Sequence, residues 1–98
     1  MKPVLLDPDT NLRAKFQVPR DGKIEYHVES DGGVVDVFVV AEEGLRNFDQ
    51  AKPFKASVVS VRRYDHHERV KLGFAGSWYL LIVNRSKKQP VAVTYEVY

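Results

Sequence analysis

The chain has 98 residues, no cysteine and a formal net charge of +2. That length suits one domain, residues 1–98, with a core able to fold without metal or disulfide staples, and the missing thiols exclude disulfides, a cysteine nucleophile and a cysteine metal site. A hydrophobic fraction of 44% excludes a disordered chain, and so small a net charge argues against a nucleic-acid partner, although a sequence pI of about 8.9 is compatible with an anionic one.

The start, Met1-Lys2-Pro3-Val4-Leu5-Leu6-Asp7-Pro8, holds no long apolar run, so it is not a signal peptide as it stands and a cytoplasmic location is expected. No segment approaches the ~20 apolar residues of a transmembrane span. Val4–Leu6 reads as an edge strand. Asn11–Val18 alternates, with Leu12, Ala14, Phe16 and Val18 on one face, and ends in the turn Pro19-Arg20-Asp21-Gly22. Lys23–Ser30 alternates again, Ile24, Tyr26 and Val28 inward against Glu25, His27 and Glu29, and Asp31-Gly32-Gly33 signals a tight turn. Val34–Ala41 is nearly all valine, which favours strand over helix.

Glu42–Pro53 does not alternate, and Gly44 interrupts its helical potential, so a loop with one short turn is expected, Leu45 and Phe48 tucked against the core. Phe54–Tyr64 reads as a strand and Asp65–Glu68 as a polar connection. Arg69–Phe74 places Val70, Leu72 and Phe74 inward. From Trp78 to Val83 every residue is apolar or aromatic; such a strand belongs mid-sheet, with cover on both faces. A last strand, Val91–Tyr98, shares Val91, Val93, Tyr95 and Val97 on one face. These segments predict an all-β fold: an antiparallel β-sandwich, jelly-roll-like, of seven to eight strands.

The order Phe16-Gln-Val-Pro, Tyr26-His-Val-Glu-Ser, Gly33-Val-Val-Asp-Val-Phe-Val-Val40, Gly76-Ser-Trp-Tyr-Leu-Leu-Ile-Val-Asn84 and Pro90-Val-Ala-Val-Thr-Tyr95 carries a resemblance. From about Leu12 onward the chain resembles the small β-sandwich modules of the bacterial pre-peptidase C-terminal type. It is also similar to the GOLD domains of eukaryotic secretory-pathway proteins. The resemblance implies a jelly-roll-like sandwich serving as an accessory or adaptor module and not as a catalyst.

Tyr64-Asp65-His66-His67-Glu68 is the most polar cluster of ligand-type residues. In an extended segment His66 and Glu68 share one face, Asp65 and His67 the other, so only pairs converge locally, with His27 a conceivable third imidazole. The preferred reading is a solvated hairpin tip with no metal and no cofactor. Ser57, Ser60 and Ser77 lack any nucleophile-elbow setting. Asp36, inside an apolar strand, is expected to face outward or to cap a loop. Asn84-Arg85-Ser86 matches a glycosylation acceptor, of consequence only in a secreted protein. Arg62, Arg63, Arg69 and Lys71 flank one loop; Arg85, Lys87 and Lys88 occupy another.

In an antiparallel chain, connections alternate between the two ends of the sandwich. That parity places Ser30–Gly33, Tyr64–Glu68 and Arg85–Gln89 at one end and predicts an anion-binding set of Arg63, His66, His67, Arg69, Arg85, Lys87 and Lys88. Its histidines would strengthen binding at mildly acidic pH. The expected function is a non-catalytic binding or adaptor module for a protein or other anionic partner. The alternatives are a small metal-assisted hydrolase using Asp65, His66 and His67, or a structural oligomer subunit pairing through an edge strand; the oligomeric state is left open.

Overall fold

A computed structural model describes residues 3–98. Eight strands and one helix follow one another: β1 (Val4–Leu6), β2 (Asn11–Val18), β3 (Lys23–Asp31), β4 (Val35–Val40), α1 (Glu42–Asp49), β5 (Val58–Arg63), β6 (Asp65–Lys71), β7 (Gly76–Val83) and β8 (Val91–Val97). They form two four-stranded sheets, ordered β1-β8-β3-β6 and β2-β7-β4-β5. Every pairing is antiparallel. This is the strand order of a jelly roll. None of the described helices is long and apolar enough to cross a membrane.

The core between the sheets follows the period-two pattern. Ile24, Tyr26 and Val28 of β3, with Val91 and Val93 of β8, face Val35, Val37 and Val39 of β4 and Trp78, Leu80 and Ile82 of β7. Tyr26 is fully buried, and its hydroxyl has no partner among the described residues. Burial pushes the Tyr26 hydroxyl up to about 12.

The two apolar faces of β4 and β7 require a second cover, and α1 supplies it. Leu45 and Phe48, with Phe54 and Ala56 beyond the helix, pack on Phe38, Val40, Leu81 and Val83. Phe54 meets Phe38 and Phe48 edge-on at 5.4 and 5.5 Å. Arg13 of β2 ties down the helix end through two 2.7 Å bonds to Asp49.

Four segments differ from the sequence expectation. Residues 42–49 are a full helix and not a loop. Gly44 misleads as a helix breaker because its role is close packing: a Cβ there would lie 2.7 Å from the Lys55 carbonyl oxygen and 3.3 Å from the Val40 Cβ. Residues 54–57 are not strand; Phe54 and Ala56 are used to cover the outer face of the sheet. Asp65–Glu68 is no hairpin tip but the first half of β6, which pairs along β3 from Glu29↔Asp65 to Lys23↔Lys71. The chain crosses from one sheet to the other in the single residue Tyr64. Phe74 is exposed rather than inward, its ring against Trp78 at 4.6 Å.

Gly44→Ala is expected to destabilise the protein by about 1–3 kcal/mol, as overpacking does. Alanine gains about 1 kcal/mol over glycine in helix propensity, so the two effects oppose each other. Urea denaturation decides the sign; a more stable variant would show that the segment around Lys55 gives way freely.

Candidate functional site

Residues 32–34, the Tyr64 corner and residues 84–90 come together at one end of the sandwich, around a cleft of about 430 Å³ lined by Gly33, Asp36, Arg62, Tyr64, Arg85 and Gln89, among others. Asn84 builds the floor beneath it. Its side chain is fully buried, and Nδ2 donates to the carbonyls of Leu6, Asp7 and Gln89 at 3.1, 3.3 and 3.0 Å. Its Oδ1 accepts the Ser86 N–H at 3.0 Å. One amide thus joins the end of β1 to the β7–β8 connection. The same bonds occupy the nitrogen of the glycosylation acceptor match, so the folded chain offers it no glycan site.

Asp36 organises the wall. It sits on the outer face of β4 and is 6% exposed. Opposite it the β4–β5 register slips between Val35↔Arg63 and Val37↔Ser60, leaving one extra residue on β5. This is a β-bulge, and Arg62 occupies it at a φ of 57°. Asp36 Oδ1 accepts the Arg62 N–H at 2.9 Å, and Oδ2 accepts from Arg85 Nε. The buried carboxylate is therefore paired and hydrogen-bonded at both oxygens, as a buried charge requires. It is a loop anchor, in line with the capping role expected for it.

The predicted anion-binding residues divide between four places. Arg85 lines the cleft, with Lys87 and Lys88 exposed on the connection that follows it, and Arg63 is exposed at the corner. His66 is not at the surface. It is 1% exposed on the inner face of β6. Its Nε2 donates to the carbonyls of Val35 and Arg63 at 3.0 Å each, and its Nδ1 accepts the Ser60 hydroxyl at 2.7 Å. Carbonyl oxygens only accept, so Nε2 carries the proton, and burial, which disfavours the charged ring, leaves Nδ1 to accept from Ser60. Burial lowers the His66 pKa below its ordinary value. Ser60 and His66 make the contact of a nucleophile and its base, but at 8% and 1% exposure they are closed to a substrate and pin the corner between the sheets.

His67 and Arg69 lie on the outer face of β6, running away from the cleft, and both bind Glu25 of β3. The His67 hydrogen bond, with Arg69 beside it, holds the Glu25 carboxyl below its ordinary range. His66 and His67 thus face opposite sides of one strand, and Asp65, His66 and His67 do not converge on one point. His27, opposite His67 in register, stacks on its ring at 4.7 Å and contacts Glu29 and Asp65.

Arg62, seen in the sequence only as a flanking charge, joins the cleft because the bulge places it there. The extra residue of a bulge leaves no period-two signature. The placement of His66 was open to reading: extending the alternation of Leu72 and Val70 back through β6 puts it inward. No protein-family model matches the chain, and no curated protein matches it either.

Proposed function

We propose that this chain is a non-catalytic binding module that takes an anionic partner, a protein segment or another acidic ligand, in the cleft at the end of the sandwich. The observation that supports this is the charge distribution of the cleft. Arg62 and Arg85 line it, Arg63, Lys87 and Lys88 extend from the same segments, and its one lining carboxylate, Asp36, is already bound by Arg85 and the Arg62 amide. Exposed Asp31 lies beside it and offsets only part of that charge. The segments are held from below by Asn84 and His66, so the cations are presented on a fixed scaffold. Loops on a rigid sandwich are a common binding arrangement, and the resemblance to accessory sandwich modules points the same way.

The test removes charge without disturbing the fold. Arg85 stays, because its loss would leave Asp36 buried and uncompensated. Arg62, Lys87 and Lys88 are changed to Ser together, and binding to heparin and to anionic vesicles is measured at low and at physiological salt. Each cation near an anionic surface contributes about 1 kcal/mol, so the triple variant is expected to bind on the order of a hundredfold more weakly. Added salt weakens the parent. A parent that binds neither probe at low salt, or a variant that binds as the parent does, overturns the reading.

A further inference from the structure

The outer face of the β8-β3-β6 sheet carries a second arrangement, remote from the cleft's cations in chemistry. His27 and Glu29 stand two residues apart on one face of β3, and Asp65 stands across from Glu29 on β6. His27 Nε2 lies 3.0 Å from Glu29 Oε1 and 2.8 Å from Asp65 Oδ1. The three ligand atoms lie within 4.8 Å of one another. Glu96 of β8 is opposite His27 in register and Thr94 opposite Glu29. Both border an open depression of about 200 Å³ beside the imidazole.

Two features of this geometry bear on a ligand. First, a neutral imidazole presents a lone pair at whichever nitrogen lacks the proton, and carboxylate oxygens only accept. A nitrogen held at 2.8 and 3.0 Å from two carboxylates carries either a proton directed at them or a cation in the proton's place. Second, the spacing suits a metal ion. Two ligand atoms each about 2.1 Å from one tetrahedral ion are about 3.4 Å apart, so each carboxylate oxygen needs to move outward by only about half an ångström to admit one. Neighbours also fix the imidazole: His67 stacks on it, and Glu25 holds His67 in turn. One imidazole with two carboxylates is a donor set for a first-row divalent transition metal rather than for a soft ion or for calcium.

The geometry points to a divalent transition-metal site on the outer sheet face, with His27 Nε2, one oxygen of Glu29 and one of Asp65 as protein ligands. The depression bordered by Thr94 and Glu96 leaves further coordination positions to water or to a partner's ligand. The ion ties β3 to the start of β6, so it fixes the strand that leaves the Tyr64 corner.

The experiment titrates Zn²⁺ into the full chain, prepared without an affinity tag and freed of metal by chelation, with calorimetry as the readout. The expected result is one equivalent bound. His27→Ala and Asp65→Asn are each expected to weaken binding by at least about tenfold, the lower end of what altering even an outer-shell partner costs. His67→Ala is expected to retain it, since that ring only stacks. Near-ultraviolet circular dichroism checks that each variant is folded, and NMR of the imidazole carbons identifies the ring that responds to the ion. No binding by the folded parent overturns the site, and shows that a proton alone sits between His27 and its two carboxylates. Binding lost in His67→Ala but kept in folded His27→Ala overturns it as well. Heparin and vesicle binding at the cleft is read separately, so failure of either site leaves the other standing.

Discussion

Trp78→Ala is expected to cost about 3–5 kcal/mol of folding stability, the range for large aromatics removed from cores. Trp78 is the third residue of β7, the strand between β2 and β4, and is 4% exposed. It pairs with Phe16 in register, and its ring packs into the cluster with Leu80 and Ile82. Its indole N–H donates to the Phe74 carbonyl at 3.0 Å, and the Phe74 ring covers it from the solvent side. Alanine leaves a cavity, an orphaned carbonyl and an uncovered Phe74 at once. Whole domains are stable by only about 5–15 kcal/mol, so the variant is expected to be marginal. Urea titration followed by circular dichroism is the measurement, because the chain holds no other tryptophan to report by fluorescence. In the parent, Trp78 emission is expected to be blue-shifted and to move red on denaturation. A loss below about 1 kcal/mol, typical of a surface change, would contradict its place in the core.

The strands were legible wherever one face meets the core and the other meets water. β2, β3 and β8 alternate, and their inward residues are those read from the period. The run from Trp78 to Val83 announced two covered faces, and Leu45 and Phe48 were expected against the core, yet the helical form of this cover stayed hidden. Its helix contains Gly44, whose reason for being glycine is a carbonyl of residue 55, a contact between distant parts of the chain that no local pattern encodes. The cleft was half legible. Parity along an antiparallel chain brings 30–34, Tyr64 and 84–90 to one end, but it does not say where a strand begins. Reading Asp65–Glu68 as a loop placed His67 and Arg69 at the cleft, when β6 carries them down the sheet face. The convergence of His27, Glu29 and Asp65 depends on the β3–β6 register, and register is a property of the pairing rather than of either segment.

His66→Ala is expected to cost about 3 kcal/mol or more, since it leaves several buried partners unmatched and each such group costs about 1–3 kcal/mol. The groups left behind are the Val35 and Arg63 carbonyls and the Ser60 hydroxyl. The parent should also carry a pH dependence that the variant lacks. In the fold, burial depresses the His66 pKa below the ordinary 6.5. Above 6.5 the ring is neutral in both folded and unfolded chains, and its full contribution to stability is present. As pH falls below that value the unfolded chain takes up a proton that the folded one resists. Stability then falls, by at most about 1.4 kcal/mol per pH unit for one proton, until the depressed folded pKa is passed. The measurement is the difference between parent and variant in urea midpoint from pH 7.5 to 5, which cancels the pH dependence that the two proteins share. Equal slopes would show that His66 is not held neutral in the fold. The consequence reaches the cleft. His66 ties Arg63 to Val35, and so fixes the corner that carries Arg62 and Tyr64. Acid is therefore expected to loosen this corner, so the stronger acidic binding expected from the histidines' charge has no source in His66. Heparin binding by the parent is expected to gain nothing from His66 between pH 7 and pH 6; a gain that a folded His66→Ala variant lacks would contradict this.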